Sequence, residues 1–219
     1  MQISNYEILF ILNPQEQIVL ALYDPLQEIH CCYRGRIFFV QESESFTIFN
    51  DHIRHGMQRL RILLTAALQN ELLLDPSINN NLGYLYAQYS FNCFDKNKAE
   101  QLGLIFDDQN NWVGRKYLLW AYNQVALWMY NDDKGSIILE FTPWYTGERY
   151  NEEYVSDYTE YEVFLAGYNP LFKRQLSPEL AQQWLNQANN ILQQIDDNIT
   201  RAIKEKTVFK SKSSIFYTR

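Results

Sequence analysis

The chain has 219 residues, of which 47% are hydrophobic, 16% aromatic and 21% charged, with a formal charge of −7. This length can bury about 70% of the unfolded surface in one unit, and the apolar content excludes wholesale disorder. An acidic chain also lacks the basic footprint that nucleic acid demands of a main partner.

Glu7 to Leu12, Ile18 to Tyr23 and Arg34 to Val40 are short aliphatic and aromatic runs separated by Asn13-Pro14 and Asp24-Pro25, and Phe46 to Phe49 is a fourth. They read as the strands of an N-terminal meander. The first run has no basic leader, follows Glu7 and meets Pro14, so it reads as a strand and not as a signal peptide. No apolar run approaches the roughly 20 residues needed to cross a bilayer. The three cysteines are an odd number, and Cys31 and Cys32 are neighbours that a strand would point opposite ways. Free thiols in a reducing cytoplasm are expected.

Ile53, Met57, Leu60, Leu64, Ala67 and Leu68 recur at helical spacing behind Asp51, a candidate cap, in a helix that must end before Pro76. The stretch from Leu85 to Tyr130 is rich in aromatic residues and predicts several strands. A polar turn within Met129 to Ser136 makes Trp128 to Leu139 a hairpin. Ser177-Pro178-Glu179 then supplies a cap, a first-turn proline and an early acid, and Leu180, Trp184, Ala188, Ile191, Ile195 and Ala202 form an apolar stripe behind it. The expected fold is α+β: a mostly antiparallel sheet, made of the N-terminal meander and central hairpins, with two main amphipathic helices packed on it. Residues 1–205 form a single domain and 206–219 a basic C-terminal tail. From Arg201 to Arg219 six bases stand against Glu205. Such a tail could address RNA or anionic lipid, but cations near a helix C-terminus also complement its dipole. The second reading is adopted, with neither nucleic acid nor membrane as a partner.

Chemical motifs are mostly missing. There is no Gly-rich phosphate loop, no Gly-x-Ser-x-Gly elbow and no His-Glu-x-x-His pair, and eight scattered glycines make a nucleotide cradle hard to build. His52 and His55, with His30, Cys31 and Cys32, are the best metal candidates, yet there is no second cysteine pair, and strand cysteines with surface histidines explain the same letters. Cys32 with a histidine would make a nucleophile and base, but nothing marks the thiol as activated. Carboxylates are too plentiful to single out a glycosidase-like pair. No enzyme activity, cofactor or metal is therefore expected. Trp112, Trp120, Trp128, Tyr117 and Tyr122 could line a ligand pocket; core packing between sheet and helix is the preferred reading.

The segment from Glu140 to Glu162 is different. It carries seven acids against Arg149 alone, a net of −6, interleaved with tyrosine. Neither a helical face nor strict alternation buries Tyr145, Tyr150, Tyr154 and Tyr158 together while keeping Glu148, Glu152, Glu153 and Asp157 in water, and Pro143 and Gly147 interrupt regular structure. An exposed loop follows. Tyrosines supply rigid contact area and the acids steer a cationic partner, so Trp144, Tyr145, Glu148, Tyr150, Glu152, Glu153, Tyr154, Asp157, Tyr158 and Glu160 are the candidate partner-binding residues. A solvated loop whose tyrosines pack locally on the sheet is the competing account.

The runs Trp112 to Trp120, Trp128 to Pro143, Tyr161 to Pro170 and Leu176 to Leu185 together resemble a pattern in bacterial immunity proteins, covering the C-terminal half. Those are small cytoplasmic proteins encoded beside polymorphic or contact-dependent growth-inhibition toxins, which they bind and block. The resemblance implies no enzyme activity and carries over no individual binding residue. It makes the expected partner the C-terminal domain of a cognate toxin, basic where the toxin is a nuclease. A small-ligand or peptide-binding module built on the aromatic central strands is the alternative, and an unrecognised enzyme is a third.

Overall fold

A computed structural model describes residues 6–30, 32–42, 44–78, 81–92, 96–109, 111–145 and 160–215; at 92, 96 and 205–215 it describes the backbone alone. The N-terminal runs are strands: β1 (Tyr6–Asn13), β2 (Glu16–Leu22), β3 (Arg34–Gln41) and β4 (Glu44–His52). They pair in chain order as an antiparallel meander. Alternation decides which face is buried: Phe10, Ile18, Leu20, Ile37 and Phe39 enter the core, whereas Leu9 and Ile11 remain exposed. Residue 32 lies in a turn before β3 and not in a strand as expected, with Cys32 exposed; Cys31 lies outside the described residues.

β4 runs directly into α1 (Ile53–Leu68), which corrects the expected Asp51 cap. Asp51 pairs with Gly35 in the β3–β4 ladder, and His52 takes the cap position without a side-chain bond. The Ile53 N–H donates instead to the Tyr33 carbonyl at 3.0 Å, so the preceding turn satisfies one of the helix's first donors. Along α1, Ile53, Met57, Leu60, Leu64 and Ala67 are buried at the expected spacing.

The middle of the chain departs further from expectation. Its first half is helical, α2 (Leu82–Asn92) and α3 (Lys96–Gln101), and strands begin only at β5 (Leu118–Tyr122) after a 3-10 turn over Val113–Tyr117. The rings of α2 point to several sides: Tyr86 packs on Trp112, Trp128 and Trp144, while Phe91 packs on Tyr145 and Tyr161. A helix surrounded in this way shows no single apolar stripe, and its aromatic residues favour strand on propensity alone.

β6 (Val125–Asn131) and β7 (Ile137–Pro143) form the expected hairpin. The Asp132 carboxylate accepts from the N–H groups of Lys134 and Ser136 at 3.0 and 2.7 Å, and Gly135 takes a positive φ of 80° that closes the turn. β8 (Phe172–Leu176), unforeseen, pairs with β7 and completes a second antiparallel sheet in the order β5-β6-β7-β8.

α5 (Pro178–Ile215) begins as its sequence predicts, with the Leu180 N–H donating to the Ser177 hydroxyl at 3.2 Å. It continues past the boundary placed at residue 205, so 206–215 is helical backbone. Trp184 is 2% exposed, edge-on to Phe10 at 5.6 Å, and its indole N–H donates to the Ile11 carbonyl. One core cluster joins both sheets, α1 and α5. Phe39 of the first sheet contacts Phe141 and Phe172 of the second at 4.5 and 5.2 Å, and the Trp120 indole N–H donates to the Gly56 carbonyl of α1. The fold is α+β with antiparallel sheets, as the sequence implies. No helix among the described residues is long and apolar enough to cross a membrane.

Candidate protein-binding surface

β7 ends at Pro143, and the acidic, tyrosine-rich segment starts there. Trp144 is half-buried, its N–H donating to the Gln124 carbonyl at 2.8 Å and its ring 6.2 Å from Tyr86. Tyr145 is only 7% exposed, so its ring is part of the packing and is not available as contact area; this corrects its place among the docking rings. Glu148, Tyr150, Glu152, Glu153, Tyr154, Asp157 and Tyr158 lie outside the described residues. The chain is described again at Glu160, which is exposed, and at Tyr161, which is 9% exposed and opens α4 (Tyr161–Ala166).

The two ends of the segment meet. The rings of Tyr145 and Tyr161 are 5.4 Å apart, and with Ala87 of α2 they form a second, small core onto which Phe164 and Leu165 pack. Phe91, 45% exposed, lies over Tyr161 at 3.9 Å with the planes within 8° of parallel. Tyr145 and Tyr161, on either side of 146–159, therefore belong to one aromatic clasp standing on α2. On its outer side the clasp carries Glu160, Glu162 and Val163, all exposed.

Glu140 does not belong to this surface. It is fully buried on β7, where the β8 register sets it opposite Lys173. Its Oε2 accepts the Tyr130 hydroxyl at 2.7 Å and lies 3.1 Å from the Lys173 ammonium, which is also 3.0 Å from the Tyr130 oxygen. Burial, and then the Glu140 charge, push the Tyr130 hydroxyl well above its ordinary pKa, and the same two causes raise Tyr168. Tyr130 therefore keeps its proton and donates a hydrogen bond to the Glu140 carboxylate. Without Glu140, the sequence from 141 to 162 still holds six acids against Arg149, a net of −5. Composition could not reveal this cluster, because its cation comes from a strand that the sequence pattern did not show.

A second buried acid joins the sheets. Glu16 of β2 is 5% exposed and accepts from the Arg174 guanidinium of β8 through both carboxylate oxygens, which holds the Glu16 carboxyl below its ordinary pKa.

Comparison with protein-family models, curated proteins and solved structures finds no match.

The other sequence candidates separate clearly. Trp112, Tyr117, Trp120 and Trp128 are all at most 3% exposed and fill the core, so these rings do not line an open pocket. Half-buried Tyr122 accepts from the Asn50 amide at 3.0 Å, joining the rims of the two sheets. His52 and His55 lie edge to face at 5.5 Å, with Asp51 3.5 Å from His52. Among the described residues no group of three histidines, cysteines or acids could hold a metal ion.

Proposed function

We propose that this chain is an inhibitory binding protein of the immunity type, which blocks a cationic toxin domain in the cytoplasm through the segment 144–162. The observation that supports this reading is the aromatic clasp. Tyr145 and Tyr161 hold both ends of a strongly acidic, tyrosine-rich stretch against α2, and α2 in turn packs on the second sheet through Tyr86 and Trp128. Fixing the ends of a binding segment reduces the ordering cost on association. Its net charge of −5 suits a basic partner, for which acids supply steering and tyrosines supply contact.

The partner is sought as the product of the adjacent toxin gene, by pull-down with the full chain. Binding kinetics at two salt concentrations then test the surface. Converting Glu152, Glu153 and Asp157 to their amides is expected to slow association and flatten its salt dependence, since exposed charges act over roughly 8 Å at physiological ionic strength. Tyr150→Ala or Tyr154→Ala is expected to speed dissociation by about tenfold. Unchanged rates in all of these variants, with unchanged melting, would remove this segment from the interface.

A further inference from the structure

α1 sends one cation to a place where no acid meets it. Arg59 is half-buried, and its guanidinium reaches the end of the 3-10 turn over Val113–Tyr117. Nε donates to the Leu118 carbonyl at 2.7 Å, and Nη2 to the carbonyls of Lys116 and Arg115 at 2.7 and 3.3 Å. Carbonyls at a helical C-terminus attract a cation, which accounts for the Nε and Nη2 edge of the fork. Among the described residues Nη1 takes no bond, and no carboxylate lies within ion-pair distance of Arg59, Arg115 or Lys116. The neighbours add to the charge. Arg115 and Lys116 are exposed, and burial, then the nearby Arg115 cation, press the Arg59 pKa down. The Lys116 ammonium lies 4.9 Å from the centre of the Tyr117 ring, whose hydroxyl donates to the Leu73 carbonyl. Asp75 is within range of the Lys116 charge, but its Oδ1 accepts the Ser77 N–H and hydroxyl at 2.9 and 2.6 Å. A guanidinium partly withdrawn from water beside two further cations is costly until an anion joins them.

We propose that Arg59, Arg115 and Lys116 form a binding site for a phosphate dianion, free or as a monoester. Nη1 of Arg59 and the Arg115 fork donate to its oxygens, as guanidinium groups do in oxyanion recognition, and the Lys116 ammonium adds a point charge. Three positive charges suit a dianion better than a single carboxylate. The site is prepared in advance. Two carbonyl-bound nitrogens hold the Arg59 fork and the Tyr117 ring holds Lys116, which lowers the ordering cost of binding. The formal charge of −7 repels phosphate from the surface at large, so saturable binding reports this site and not general attraction.

The test is titration of the isotope-labelled full chain with potassium phosphate, against potassium chloride at equal ionic strength. The Arg59 Nε–H and the backbone N–H signals of Arg115 to Leu118 are followed by NMR. Phosphate is expected to saturate these signals with a dissociation constant of about 1 mM or below. Arg115→Met and Lys116→Met, at exposed positions, leave the fold intact and are each expected to weaken binding by about fivefold or more. Arg59→Lys keeps the charge but loses the fork and is expected to weaken binding as well, with thermal melts as the folding control. Phenyl phosphate in place of the inorganic ion separates the two sources: tighter binding identifies a monoester, weaker binding the free ion. No saturable response by about 20 mM phosphate would overturn the proposal. So would binding indifferent to both Arg115→Met and Lys116→Met, or acetate bound as tightly as phosphate.

Discussion

Glu140 illustrates what a single residue's surroundings decide. Read in the chain it is one more acid in an acidic stretch; in the fold it is fully buried and depends on Tyr130 and Lys173. Removing one partner of a buried ion pair costs roughly 3 to 5 kcal/mol, but the Lys173 side chain is 40% exposed, so water offsets part of this. Lys173→Met is therefore expected to destabilise the fold by about 2 kcal/mol in urea unfolding. Adding Glu140→Gln to that variant removes the uncompensated charge and is expected to recover part of the loss. The tyrosines make a second prediction, in base. Tyr130 and Tyr168 hold their protons above the ordinary 10.0, whereas the unfolded chain gives them up near that value. Their contribution is complete below pH 10 and is lost as pH rises beyond it, at up to about 1.4 kcal/mol per pH unit for each group. Tyr130→Phe removes one of the two groups. Its stability, measured by urea midpoints between about pH 9 and 11, should fall less steeply with pH than that of the parent chain.

Among the elements, the two amphipathic helices were the most legible because each buries one stripe. α1 hides Met57, Leu60 and Leu64, and α5 hides Ala181, Trp184, Ala188, Ile191 and Ile195, at helical spacing in both. Trp184→Ala is accordingly expected to cost about 3 to 5 kcal/mol in chemical unfolding and to leave binding of the proposed partner intact while the protein is folded. Unchanged stability with lost binding would make this helix face an interface. α2 was hidden for the opposite reason. It lies between the second sheet and the clasp, with Tyr86 on one side and Phe91 on another, and no stripe survives that double burial. β8 was hidden by its position: Lys173 and Gln175 alternate with Phe172 and Arg174 on a short edge strand, which gives little apolar signal.

Across the whole molecule, charge is divided between an acidic segment and a basic C-terminus, and the described buried contacts of α5 lie upstream of the latter. The last buried side chain among those described on that helix is Asn198, whose amide donates to the carbonyls of Leu26 and Ile29 at 2.9 and 2.8 Å; Ile203 is 60% exposed. A chain ending after residue 205 keeps all of those contacts. With those contacts kept, it is expected to melt within about 4 °C of the full chain. A much larger drop in melting temperature would show that residues 206–219 contribute to the core.

Local pattern determined a good deal by itself. The meander, the hairpin around Asp132 and Gly135, the Ser177 cap and the two striped helices all follow from alternation, helical spacing and turn chemistry, which neighbouring residues carry in full. Tertiary structure alone decided the rest. Glu140 found its cation 33 positions later, at Lys173, and Tyr145 found its ring partner at Tyr161. Residues so far apart become neighbours only when β7, β8, α2 and α4 are packed together, since burial and pairing belong to the assembled fold and are not written in the order of the chain.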